Sequence, residues 1–297
     1  MMARPGDALV VLAPAKINLT LRVIARRPDG YHELDTVMQK LDLADRISLR
    51  ISGRPGVRLS CVSCELPEDE SNLAFRAAAV FLQAAGKTHE LGVELVLEKK
   101  IPIAAGLGGG SSDAGAVLVG LNRLLGEVFS EHELIDLARP LGADVPLFVT
   151  DHVAVRARGI GDLMTPVSGL QDCEVVLVNP GFSVSTAWVF GNYALTEVEN
   201  YFNISCSPKH SCGLECPLHN DLEQVTLAKY PQLNEIKQTL LRLGATEVLM
   251  SGSGPTIFGL FPVQEQGGPA VSATVVQTLR DHYGDQVFVT RPLCAGA

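Results

Sequence analysis

The stretch Ile101-Pro102-Ile103-Ala104-Ala105-Gly106-Leu107-Gly108-Gly109-Gly110-Ser111-Ser112-Asp113 decides how this chain is read. Four glycines fall within residues 106–110, and two hydroxyl residues follow. The residues ahead, Val93 to Lys100, read as a strand. Those behind, Ala114 to Leu125, read as a helix, with Val117, Leu118, Leu121, Leu124 and Leu125 at helical spacing. Glycine lacks a Cβ, so the backbone can pass close to a ligand. Amides at a helix start, together with the helix dipole, favour an anion there. The expectation is a phosphate cradle. The alternative is a tight glycine turn without a ligand, with the two serines as ordinary helix caps.

Two better-known phosphate loops are excluded. The dinucleotide fingerprint needs a glycine three residues after its second. After Gly108 that place is Ser111, and after Gly110 it is Asp113. The P-loop ends in Gly-Lys-Ser/Thr, and this stretch holds no lysine.

The chain has 297 residues, of which 46% are hydrophobic, and a formal net charge of −9. That length suits two ordinary domains or one large one. Arg26-Arg27 and Lys99-Lys100 are the longest basic runs, so no nucleic-acid partner is expected. No apolar stretch reaches the roughly eighteen residues of a membrane span. The segment Met1 to Asp7 lacks the apolar core of a signal peptide, so a cytoplasmic protein is expected. Seven cysteines, an odd number, fit a reducing compartment. Cys61-Val-Ser-Cys64, and Cys206, Cys212 and Cys216 with His210 and His219, invite a metal reading. Their gaps are irregular, and Cys61 lies in a strand-like run, so free thiols and no metal site are expected.

Along the chain, residues 8–25 read as strand, turn, strand. Pro28-Asp-Gly30 marks a turn. Arg46 to Ser52 and Val57 to Val62 read as a hairpin around Gly53-Arg-Pro-Gly56. Asn72 to Ala85 reads as a helix capped by Ser71. Ser130-Glu-His-Glu133 is a capping box for a helix from Leu134 to Ala138, and Leu141 to Phe148 is an irregular apolar connection. Val153 to Arg158 and Glu174 to Asn179 read as strands, and Thr186 to Tyr193 as a short helix. Residues 200–219 look like a polar loop or insertion. Leu233 to Leu243 and Val271 to His282 read as helices. Glu247 to Met250, Thr256 to Phe261 and Gln286 to Arg291 read as strands. The pattern is α+β, with domains at 1–165 and 166–297.

Three separated segments need a joint explanation: Pro14-Ala-Lys-Ile-Asn-Leu-Thr-Leu21, the glycine loop, and Ser251-Gly-Ser-Gly-Pro-Thr-Ile-Phe258. In this order they resemble the GHMP kinase superfamily. Arg27-Pro-Asp-Gly-Tyr-His-Glu-Leu34 and Gly142-Ala-Asp-Val-Pro146 resemble one branch of it, which phosphorylates the 2-hydroxyl of a cytidine-diphosphate-linked methylerythritol in non-mevalonate isoprenoid synthesis. The likeness runs from about Ala13 to Arg291. It implies a two-domain fold, with an N-terminal nucleotide-binding domain like ribosomal protein S5 domain 2 and a C-terminal ferredoxin-like α+β domain.

The resemblance also assigns roles. Lys16 and Asp144 match the catalytic pair. Asp144 would accept the proton of the attacking hydroxyl, and Lys16 would offset charge on the transferring phosphoryl; such transfer depends on positioning and charge neutralisation. Pro102, Ile103, Ala104, Ala105, Gly106, Leu107, Gly108, Gly109, Gly110, Ser111 and Ser112 would hold the ATP phosphates. Ser111 or Ser112 would help with Mg²⁺. Asn72, and Lys99 or Lys100, match positions near the nucleotide. Tyr31 and Phe190 would sandwich the cytosine, His32 would read its edge, and Asn18 and Thr186 would lie near the erythritol and phosphate portion. The partner is a small molecule, with the chain a monomer or homodimer and no membrane involved.

Two departures stand out. Ile103-Ala104-Ala105 replaces a stretch that in the family more often carries methionine and glycine, and Gly115 replaces a usual alanine. Competing readings are a homoserine- or mevalonate-type kinase, and a non-catalytic nucleotide binder on the same fold. Tyr31-His32 separates the first of these, because a cytidine substrate needs a stacking ring with a polar reader beside it.

Overall fold

The computed structural model describes residues 4–62, 64–194, 211–213, 217–263 and 270–294. Contacts divide the chain into two compact units that interleave along the sequence. One comprises Met1–Ala15, Leu43–Ile101 and Gly108–Asp151; the other comprises Lys16–Asp42, Pro102–Leu107 and His152–Ala297. Strands β1 (Ala8–Arg26) and β2 (His32–Ser52) contribute residues to both. Strands of this length run roughly 60 Å. A contact-based partition therefore follows different lines from a single boundary at residue 165.

The strand, turn, strand expected over residues 8–25 is instead the one unbroken strand β1. Pro14 does not break it. The strand beyond β1, β8 (His219–Asn220), pairs with it only at Thr20 and Leu21, and proline is tolerated where a strand edge lies open.

In the first unit, β3 (Gly56–Val62), β4 (Gly92–Glu98) and the far half of β2 lie in the order β3-β4-β2. β4 runs parallel to β3 and antiparallel to β2. The hairpin expected from 46–52 and 57–62 is thus absent, since β4 lies between its two arms. The Gly53–Gly56 turn passes over the start of β4, where a Cβ on Gly92 would lie 1.8 Å from the Arg54 carbonyl oxygen. Only glycine permits that approach.

Helix α1 (Leu73–Ala84) makes the crossover from β3 to β4 that a parallel pair requires. It buries Ala74, Ala77, Ala78, Phe81 and Leu82, one stripe at helical spacing. Its cap is Asn72, not Ser71: the Asn72 side chain accepts from the Ala74 amide at 2.9 Å, while Ser71 is turned to Asp69. Helix α2 (Gly109–Leu124) packs on α1, with Val117, Leu118 and Leu121 in the same core. Helix α3 (Glu131–Ala138) opens with the expected capping box. The segment expected to be irregular contains a short helix, α4 (Val145–Val149), with all five residues buried. Pro146 suits a first helical turn, where its missing N–H breaks no bond. The departure at Gly115 has its reason here. A Cβ on that residue would lie 2.5 Å from Phe148 Cβ, so α2 and α4 meet as they do because the methyl is absent.

In the second unit, β7 (Cys173–Val178), β9 (Glu247–Met250), β10 (Ile257–Pro262) and β11 (Val287–Thr290) form an antiparallel sheet in the order β11-β7-β10-β9. With α7 (Gln232–Arg242) and α8 (Ala273–Tyr283) this is the ferredoxin-like split βαβ arrangement expected. Val176, Val178, Leu233, Ile236, Leu240, Leu279 and Val287 fill its core. The near half of β2 pairs β5 (Ala154–Gly159), which pairs β6 (Leu163–Pro166). A smaller cluster joins Leu21, Val23, Val184, Val189 and Leu222 around α5 (Thr186–Asn192). Helix α6 (Glu223–Lys229) escaped the sequence reading because it buries only Thr226 and so shows no apolar period. Cys206, His210 and Cys216 lie outside the described residues.

Candidate active site

The glycine stretch changes units between Leu107 and Gly108, and each unit assembles its own group of functional side chains.

In the first unit α2 starts at Gly109, well before the apolar period begins, with Gly108 as a left-handed cap at φ 70°. No side chain caps this helix start, so its first-turn amides remain available to an anion. The two serines are inside the first turn, not caps. Ser111 is half-buried and lies beside Gly142, 3.9 Å from where a Cβ on that residue would sit. Ser112 has no exposure, and its hydroxyl finds no hydrogen-bond partner among the described residues. Of the two serines only Ser111 keeps any exposure. Asp144 stands at the head of α4, half-buried, directly before five buried residues that anchor it.

Behind this turn lies a cluster the sequence reading did not find. Lys99, buried, donates to Asp113 at 2.7 Å and to Asp45 as well. Asp45 also accepts the amides of Lys100 at 2.5 Å and Ile101 at 2.8 Å. Burial acts to lower the Lys99 pKa, but the charges of Asp113 and Asp45 outweigh it and raise it. Burial pushes Asp113 up to about 7; Lys99 draws it down and Asp45 drives it up again. Lys99 therefore ties the end of β4 to the second turn of α2. A Cβ on Gly109 would lie 3.3 Å from its ammonium nitrogen. Asp113 follows the two serines directly, which is the signal that could have found it. Asn72, the other residue expected near the nucleotide, uses its side chain to cap α1 and to donate to the Pro67 carbonyl at 2.9 Å.

In the second unit Lys16 and Asn18 point to the same side of β1, two residues apart. Lys16 Nζ donates to Asn18 Oδ1 at 2.7 Å, and both side chains are buried. Asn18 Nδ2 donates to Thr36 Oγ1 at 2.9 Å, and that hydroxyl donates to the Thr20 carbonyl at 2.6 Å. The Lys16 amide donates to the Leu107 carbonyl at 2.9 Å, fixing the glycine stretch to β1. Ser251 Oγ donates to the Gly106 carbonyl at 2.9 Å, so the late glycine segment reaches the early one. Ala104 in that stretch holds φ 52°, an uncommon value for a residue with a Cβ.

Thr186, the first residue of α5, shares a hydrogen bond with Ser253 at 2.8 Å. The Phe190 ring stacks on His32, with centroids 5.0 Å apart and planes 29° from parallel. Tyr31 is 61% exposed. Burial, and then the charge of Arg26, lower the His32 pKa, which favours a neutral ring able both to donate and to accept.

The chain matches the GHMP kinases N terminal domain over residues 72–152 and the GHMP kinases C terminal domain over residues 212–273. The 4-diphosphocytidyl-2-C-methyl-D-erythritol kinase of Desulfotalea psychrophila is 44% identical over 292 residues, which is 98% of this chain and 97% of the relative. That of Syntrophotalea carbinolica is 46% identical over 285 residues, 95% and 98% of the two chains. A crystal structure of 4-(cytidine 5'-diphospho)-2C-methyl-D-erythritol kinase superposes with a TM-score of 0.79 at 35% identity, covering 97% of this chain and 100% of that one. The homoserine kinase of Cytophaga hutchinsonii shares the fold at a TM-score of 0.73 and 20% identity, over 98% of this chain and 97% of that one. With relatives this similar over nearly its whole length, the chain belongs to the 4-diphosphocytidyl-2-C-methyl-D-erythritol kinase family of GHMP kinases.

Proposed function

We propose that this protein transfers the γ-phosphoryl group of ATP to the 2-hydroxyl of 4-diphosphocytidyl-2-C-methyl-D-erythritol, on the non-mevalonate route to isopentenyl diphosphate. The observation that carries this reading is the near-full-length identity to kinases of that name. The side-chain geometry supports it. The uncapped first turn of α2 offers amides to the ATP phosphates. Asp144 orients the acceptor hydroxyl and receives its proton. Lys16, held on Asn18, offsets the charge that spreads over the transferring oxygens. Magnesium bound with ATP would supply further neutralisation of the phosphates, and Ser111, half-buried where Ser112 has no exposure, would help to hold it.

On the acceptor side, the cytosine stacks between Phe190 and Tyr31, and neutral His32 hydrogen-bonds its polar edge. In the structure His32 covers a face of Phe190, so this ring moves aside as the base enters. Lys99 and Asn72 are engaged in local structure and support the nucleotide side indirectly. The reaction runs in the cytoplasm, on a small-molecule substrate. The test is a substrate panel: purified protein, ATP and Mg²⁺ with the cytidyl acceptor, homoserine or mevalonate. ADP release with the cytidyl acceptor alone is the expected result, and turnover of homoserine or mevalonate in its place overturns the reading.

A further inference from the structure

Asn220 closes β8, paired in parallel register with Leu21 of the strand that carries Lys16 and Asn18. Its side chain is 7% exposed. Both hydrogens of its amide are used: Nδ2 donates to the carbonyls of Met250 and Gly252, each at 2.8 Å. Its Oδ1 accepts the Leu222 amide at 3.0 Å. The two carbonyls flank Ser251, so one planar group sets the position of that residue from both sides.

Ser251 passes the constraint on. Its hydroxyl holds the Gly106 carbonyl at 2.9 Å, and the Asn18 amide points at it from 3.4 Å. A Cβ on Gly252 would lie 3.2 Å from the Gly106 oxygen and 3.4 Å from Asn18 Oδ1, the atom that receives Lys16. Every link lies within one compact unit.

We propose that Asn220 is a positioning residue for phosphoryl transfer, acting through Ser251 to hold the Gly106 backbone and the Lys16–Asn18 pair in their working geometry. Glu223, which accepts the Met250 amide at 3.0 Å, and Thr226, which donates to the Ser253 carbonyl at 3.2 Å, brace the same segment from α6. Asparagine suits the place because it alone combines two divergent donors with an acceptor on so short a stem. Aspartate would turn an oxygen towards two carbonyl oxygens. Leucine would leave both carbonyls without their donor.

The inference rests on the reading of Lys16 given above, and a double-mutant cycle tests it separately. Steady-state kinetics with ATP and the cytidyl acceptor are measured for wild type, Asn220→Asp, Asn220→Ser, Ser251→Ala and Asn220→Ser with Ser251→Ala. Asn220→Ser keeps a short acceptor for the Leu222 amide and is the milder change. Both Asn220 variants are expected to lower kcat about tenfold or more, with KM for ATP within about threefold of wild type, since a misplaced group costs rate before affinity. The double variant should match Ser251→Ala within about twofold, because residues acting in series are not additive. An unchanged kcat in folded Asn220→Ser, or effects that multiply in the double variant, overturns the proposal. Loss of folding in both Asn220 variants also overturns it, by making the residue structural only. Absence of turnover by the wild type overturns the kinase reading instead.

Discussion

Lys99 Nζ donates to Asp113 Oδ2 at 2.7 Å, joining the end of β4 to the second turn of α2, with both side chains almost wholly buried. Asp45 is the second carboxylate on the same ammonium. Two buried carboxylates therefore share one counter-charge, and the pair repels.

The burial of Asp113, and after it that repulsion, has a pH signature. An unfolded aspartate releases its proton near pH 3.9, roughly, whereas folded Asp113 is pushed up to about 7, first by burial. Between these values the folded state binds the extra proton, so this group's contribution declines as pH rises and its full penalty is present above about pH 7. Asp113→Asn removes the penalty and still accepts from Lys99. Its melting temperature relative to wild type should rise from about pH 5 to about pH 8. A difference that stays flat over that range shows that Asp113 carries no such buried-charge penalty.

Asp144→Asn keeps the shape at the head of α4 and removes the proton acceptor. Turnover should fall by about 10²–10⁴, the usual span for a positioned base. A fluorescent-nucleotide titration should give ATP binding within about threefold of wild type, because the phosphates are held by backbone amides. Retained turnover dismisses Asp144 from the reaction.

Tyr31→Ala should raise KM for the cytidyl acceptor by roughly 5- to 150-fold, the equivalent of about 1–3 kcal/mol of stacking. KM for ATP should hold still. Equal effects on both substrates assign Tyr31 a structural role instead.

His32 supplies a pH test of the same site. Its pKa is lowered, first by burial and then by Arg26, so the ring remains neutral below the ordinary value of 6.5. KM for the acceptor should be flat from about pH 8 down to about pH 6.5 and rise only on further acidification. The same sign applies to stability, because the folded state resists protonation that the unfolded chain accepts. His32→Phe should abolish the acid limb while keeping the stack on Phe190.

Gly106→Ala tests the join of the two glycine segments. Gly106 holds φ 79°, and a Cβ there would lie 2.2 Å from the Ser251 carbonyl oxygen. Strain and overlap together should cost about 2–4 kcal/mol in urea denaturation. A variant as stable as wild type shows that this contact is not tight in solution.

Much of the fold was legible because local rules sufficed. The capping box at Ser130, the stripe on α1 and the strands and helices of the α+β second half each follow from short patterns, while the ferredoxin-like order of that sheet was implied only by the family resemblance. The failures share a cause. The hairpin at 46–62 looks right locally, but pairing is settled by β4, thirty residues on, sliding between its arms. Helix α4 hides because all five of its residues are buried, which erases any polar–apolar period. Of the candidate site, Lys16, Asp144 and the glycine stretch were legible as motifs. Asp45, Asp113, Thr36 and Asn220 were not, since single polar residues gain meaning only from what they touch.

The sequence alone nominated the residues proposed to carry the chemistry: a glycine stretch before a helix, and, through the family resemblance, Lys16, Asp144, and Tyr31 with His32. Glycine conformational freedom, helix-start amides and charge are properties of residue type and order, so they survive without coordinates. The tertiary structure decided which of those atoms are available. It left Ser111 half-buried and sealed the Ser112 hydroxyl, committed Lys99 to two buried carboxylates, and used Asn220 to bind the carbonyls around Ser251. Burial and hydrogen-bond geometry depend on residues distant in the chain, and no local pattern encodes them.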